Sequence, residues 1–189
     1  MIFAAPSLLS RVHRLIVSAL VAVSLLAGLP TLTRAETNQW GFGSDLGFTS
    51  GTVNNTVFTL GFNIDYYVDR NFSFGPMFQI SPTGNLFQFA VAGVGKYHVR
   101  FSNGVNVVPF TGIGLIHADL DRGTGPTRID RNDTSWYIPI GVSLEYQVVH
   151  NIALASTLVV NLHDINLSPS IQEKDNTSVA LLFGFRWGP

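Results

Sequence analysis

Four charged residues hold the first candidate chemistry: Asp65, Lys96, Glu145 and Arg186. Each lies near the end of a segment in which apolar and small or polar residues alternate, and each occupies the polar phase. If the segments run side by side, two acids and two bases meet in one layer. Such groups should pair, because an unpaired buried charge is costly. A paired layer acts as a rigidifying plug, or as a gate on a conduction path. A second group, His117, Asp119, Asn161 and His163, lies in the polar phase near the opposite segment ends. A metal would need such ligands to converge within ~2–2.5 Å of one ion. They come from two segments that are not neighbours, so they read as hydrogen-bonding groups and no metal is assigned. The Gly93-Val94-Gly95 and Gly112-Ile113-Gly114 pairs have no helix after them and are not phosphate loops. No cofactor is expected.

Strands must position these residues. Phe58-Thr59-Leu60-Gly61-Phe62-Asn63-Ile64-Asp65-Tyr66 shows the alternation, as does the run from Trp136 to Tyr146. A period of two sorts the residues onto the two faces of a strand. Eight strands are predicted: Trp40–Thr49, Thr56–Val68, Phe72–Ile80, Leu86–Phe101, Val105–Leu120, Thr134–Val148, Ile152–His163 and Thr177–Trp187. On this reading every Phe after residue 36 lies on the apolar face. The strand charges Asp45, Asp65, Lys96, Arg100, Asp119, Glu145 and Arg186 lie on the other. Turn-forming clusters separate the strands. Three connectors are short (69–71, 102–104 and 149–151), and the others are longer (50–55, 81–85, 121–133 and 164–176). That describes an up-and-down meander with two unlike ends.

The composition decides which face points outward. Charged residues are 12% of the chain, about half the globular norm. An eight-stranded interior is only wide enough to be filled by side chains or to hold a small ligand. The Phe-rich face would overfill it and leave an outer surface of Gly, Ala, Ser and Thr. The inverse arrangement fits: small residues such as Gly41, Gly61, Ala92 and Gly141 line the lumen, and the Phe-rich face meets lipid. Closure then pairs every backbone group, as a bilayer requires. Trp40, Tyr66, Tyr97, Tyr146 and Trp187 form a girdle at the short-turn end. Trp136, with Phe48, Phe58 and Phe87, forms one at the other end.

Residues 1–35 read as a cleaved secretory signal. Arg11, His13 and Arg14 precede the apolar stretch Leu15–Leu29, and Thr33-Arg34-Ala35 offers a cut before Glu36. Fifteen apolar residues fall short of the ~20 of a spanning helix. Residues 36–189 then form one domain with eight basic and twelve acidic residues. No basic patch marks a nucleic-acid partner. The absence of cysteine excludes disulfides and a lipid-modified thiol.

The signal, the strand count, the loop asymmetry and the last strand, Val179–Trp187, together resemble the small eight-stranded outer-membrane β-barrels of Gram-negative bacteria. These are the outer-membrane protein A barrel, outer-membrane protein X and the opacity proteins. The resemblance implies an all-β transmembrane barrel, exported by the general secretory route, with both termini in the periplasm. It also implies that Phe183, Phe185 and Trp187 are a signal for the barrel-assembly machinery, although Gly188-Pro189 follow them here. Its implied partners are outer-membrane lipid and lipopolysaccharide, and it implies a monomer. The role implied is structural or surface-binding, with loops 121–133 and 164–176 the candidates for contact with an extracellular partner. Two other roles occur on such barrels: a small channel, and a lipopolysaccharide-modifying enzyme. The deacylase kind would carry a His-x-Ser pair. None of the five histidines here has Ser two residues on, and Ser156 and Thr157 lack a triad, so the chain reads as a non-enzyme.

Overall fold

The computed structural model describes residues 39–52, 55–84, 86–122, 129–165 and 175–188. The leader and the centres of the two longest loops lie outside them. The described residues form β1 (Gln39–Thr52), β2 (Asn55–Tyr67), β3 (Phe72–Thr83), β4 (Leu86–Tyr97), β5 (Val99–Arg100), β6 (Val105–Arg122), β7 (Ile129–Val149), β8 (Ile152–Ile165) and β9 (Asp175–Trp187). β5 continues β4 beyond His98, so nine segments make eight staves. Each stave pairs antiparallel with the next, and β1 pairs with β9 from Phe42↔Trp187 to Ser50↔Val179. The sheet is therefore a closed up-and-down barrel. Among the described residues no helix is long and apolar enough to cross a membrane.

Burial alternates along the staves with the large apolar residues outside. Phe42, Leu46, Phe48, Phe58, Phe62, Phe74, Leu144, Leu154, Leu158, Phe183 and Phe185 are all exposed, whereas Asp45, Asn63, Asp65, Lys96, Ser143, Glu145 and Thr157 are buried. Trp40, Tyr66, Tyr97, Tyr146 and Trp187 ring the short-turn end, and Trp136 lies near the other. Ring contacts run along the first girdle: Trp40 to Tyr66 at 5.1 Å, Tyr66 to Phe74 at 5.7 Å and Phe42 to Trp187 at 5.7 Å. These are separations at which offset or edge-on aromatic pairs attract.

β6 departs from the expected phase. Ile113 and Leu115 point outward, 70% and 58% exposed, whereas Phe110, Ile116, Ala118 and Leu120 are buried inside. His117 and Asp119 follow the outward phase and are exposed, so neither lines the lumen. The reason is local. Phe110 pairs with Gly141, and a Cβ on Gly141 would lie 2.4 Å from the Phe110 ring. The ring fills the space that the glycine leaves, which fixes the parity of the whole strand. Phe110 is thus the exception among the strand phenylalanines, and Asp119 among the strand charges.

The connectors are also shorter than expected at the long-loop end. Strands β1 and β2 leave only residues 53–54 between them, and β3 and β4 leave 84–85. β6 and β7 stay paired out to Arg122↔Ile129, so most of 121–133 is hairpin rather than loop. The interior there is not uniformly small and polar. Val57, Leu86, Ile116, Leu120 and Ile165 form part of a buried apolar cluster.

Candidate functional site

The charged layer is built from the short-turn halves of β1, β2, β4, β7 and β9. Lys96 Nζ lies 2.8 Å from Asp65 Oδ2 and donates to Asn63 Oδ1 at 3.1 Å. Arg186 Nε lies 3.6 Å from Glu145 Oε1. The four residues found by spacing therefore form two ion pairs. The sequence reading left out Asp45, whose Oδ1 lies 2.7 Å from the Arg186 guanidinium. Its main-chain partner is Gly184, and a Cβ there would lie 2.5 Å from the Asp45 carboxylate. Glycine at 184 thus gives Asp45 room to turn towards Arg186. The signal in sequence was the inward phase of Asp45, but strand register decides which charges meet. Arg186 also donates to Thr157 Oγ1 at 3.0 Å, so the guanidinium bridges β1, β7 and β8.

Above the layer, Asn63, Met77, Gln79, Phe110, Ser143, Val159 and Leu182 help enclose a cavity of about 20 Å³. That is room for about one water.

The second expected cluster divides. Asn161 and His163 are buried inside the barrel. Asn161 accepts from the Tyr137 hydroxyl at 2.8 Å and donates to Gln79 and Ser178, each at 3.3 Å. Thr49, Thr59 and Ser81 add a hydroxyl chain with spacings of 2.7 and 2.8 Å. His117 and Asp119 lie outside, where His117 Nδ1 and Thr134 Oγ1 are 2.7 Å apart. Among the described residues no group of three or more His, Cys, Asp or Glu side chains could hold a metal ion.

A Ser–His contact was missed because its members are 25 residues apart in sequence. Ser73 Oγ and His98 Nε2 are 2.8 Å apart, and the His98 ring lies 5.0 Å from that of Tyr67. Ser73 is 0% exposed. A nucleophile needs substrate beside it and a group that orients its base, and this hydroxyl has no approach. The contact ties β3 to the end of β4.

No protein-family model and no curated protein matches the sequence. Solved structures do match. Neisserial surface protein A superposes over 83% of this chain and 100% of its own, with a TM-score of 0.59 at 15% identity. The N-terminal β-barrel domain of Pseudomonas aeruginosa OprF covers 80% of this chain and 98% of its own, with a TM-score of 0.51 at 14% identity. Ail, the attachment invasion locus protein of Yersinia pestis, was solved with the heparin analogue sucrose octasulfate. It covers 80% of this chain and 99% of its own, with a TM-score of 0.51 at 9% identity. The chain has the fold of small outer-membrane barrels. At these identities the likeness is one of architecture.

Proposed function

We propose that this chain is a Gram-negative outer-membrane barrel with a structural or surface-binding role and a closed lumen. The observation that carries the membrane reading is the exposed belt of Phe, Leu and Ile between aromatic girdles on a barrel with no open edge. Water would leave that belt unsolvated, and hydrocarbon requires this kind of closure. Residues 1–35 direct export by the general secretory route. Phe183, Phe185 and Trp187, all exposed on β9, present the assembly signal to the barrel-assembly machinery. The long-loop end faces outward among lipopolysaccharide, and the short turns face the periplasm.

The ion-paired layer and the small cavity above it support the plug over the gate. Surface binding then belongs to the β6–β7 hairpin and to 164–176, because a rigid scaffold commonly displays binding residues on its loops. Residues 123–128 and 166–174 of these segments lie outside the described residues. The sucrose octasulfate bound to Ail makes a sulfated polysaccharide a reasonable first ligand to try. Fractionation of cells tests the membrane reading: the protein should sediment with the outer membrane and shift on unheated gels. Recovery from the soluble periplasm overturns it. Binding of sulfated polysaccharide to whole cells, lost when the β6–β7 hairpin is shortened to a tight turn, tests the surface role.

A further inference from the structure

The outer belt is dented along the seam between β3 and β4. A shallow groove of about 540 Å³ is lined by Phe74, Pro76, Val91, Gly93 and Gly95. Around most of the barrel, outward positions carry large side chains. Here Pro76 lies opposite Gly93, and Phe74 opposite Gly95. Nothing in the fold requires glycine at 93. A Cβ there would meet no atom within 4 Å, and the backbone is not left-handed. Glycine inside a strand weakens it and often marks a close approach by something else. The missing side chain keeps the groove open.

Its ends suggest the occupant. Phe72 and Tyr97 pair at the girdle below it, and Phe78 stacks on Phe89 at 6.4 Å above it. From Gly95 to Val91 is four residues, roughly 13 Å at ~3.3 Å each. Along a strand tilted ~40° that is ~10 Å of depth in a ~25 Å apolar band, most of one leaflet. Below the rim lies the turn 68–71. Asp69 Oδ1 accepts from the N–H groups of Asn71 at 2.7 Å and Phe72 at 2.8 Å, so its carboxylate is turned into its own loop. Arg70 is left exposed. His98 N–H donates to Asn71 O at 2.7 Å and holds this turn against the strand that carries the glycines.

We infer that the groove seats an acyl chain of an anionic phospholipid from the periplasmic leaflet, with the net-negative headgroup, its phosphate unneutralised by a choline, beside Arg70. The inference rests on the membrane reading. The groove supplies shape for the chain, and the guanidinium supplies charge for the headgroup.

The folded chain, purified in mild detergent, is titrated with dioleoyl-phosphatidylglycerol or dioleoyl-phosphatidylcholine and followed by native mass spectrometry. The wild type should carry one phosphatidylglycerol, at least fivefold more populated than the phosphatidylcholine adduct. Gly93→Leu fills the groove and should reduce both adducts at least fivefold. Gly93→Ala should fall between, and it serves if the leucine variant does not fold. Arg70→Gln should equalise the two lipids. Vesicle flotation of each variant is scored separately. A wild type that does not float removes the membrane reading itself. If the wild type floats, the lipid assignment is overturned by equal binding of phosphatidylglycerol to wild type and Gly93→Leu. It is overturned equally by a wild-type dimer that Gly93→Leu abolishes in place of a lipid adduct.

Discussion

Arg186 touches more of the charged layer than any of its partners, with Asp45 at 2.7 Å, Glu145 at 3.6 Å and Thr157 at 3.0 Å. Its removal takes the ion-pair partner from two buried carboxylates, Asp45 and Glu145. Arg186→Ala should destabilise the barrel by about 3–5 kcal/mol where the site is dry. The check is the temperature at which the folded band disappears on unheated gels. Asp45→Asn should cost less, because Glu145 still faces the guanidinium. Gly141 gives a test of packing. Gly141→Ala should cost about 1–3 kcal/mol through overpacking against Phe110 and the Leu158 carbonyl, and the cost of that substitution should shrink when it is made in a Phe110→Ala background. The charged layer could be read from sequence because charges are rare in these strands and share one phase. Asp45 was missed because phase gives a face but not a register, and Arg186 reaches β1 as well as the Glu145 of the expected layer.

Strand β6 shows where alternation stops being decisive. Ile113 and Leu115 on one face compete with Ile116 and Leu120 on the other, so a period of two has two apolar solutions. The fit of Phe110 over Gly141 selects between them, and that contact lies across strands, beyond the reach of a single-strand pattern. The same strand also records a change of surroundings. Below Trp136 and Leu115 apolar residues face out. Beyond that pair the outward face carries His117, Asp119 and Asp121, while Ile116, Ala118 and Leu120 turn inward. A strand leaving hydrocarbon for water can present polar residues outward without changing phase, so a reading that keeps Phe110 outward puts the whole strand on the wrong side. Cysteines at 117 and 119 should therefore react with an impermeant maleimide on intact cells, and those at 116 and 118 should not. Equal labelling at all four positions contradicts the inverted phase.

At the scale of the molecule, the girdles and the proposed plug of the lumen set the behaviour expected in a bilayer. Planar-bilayer recordings of the wild type should show no discrete conductance steps, and removing Lys96 and Arg186 together should make them appear. Steady wild-type conductance would replace the plug with a channel. A cysteine at Arg70 should label only after the outer membrane is opened, and labelling in intact cells would reverse the orientation. The barrel class was legible because its decisive quantity, which face is large and apolar, is written in residue types. The length of the outer hairpins was not, because polar strand beyond the membrane and polar loop have the same composition.

The pairing of β1 with β9 ties the first stave to the last. Until residues 175–187 have left the ribosome, the chain has no partner for the free edge of β1. A polypeptide cut short by a few residues would present two raw edges to every neighbour, a standing invitation to aggregate. Maturation of this protein is therefore an all-or-none event in time. The barrel can close only when β9 is in place, so the seam distinguishes a chain that carries residues 175–187 from one that lacks them.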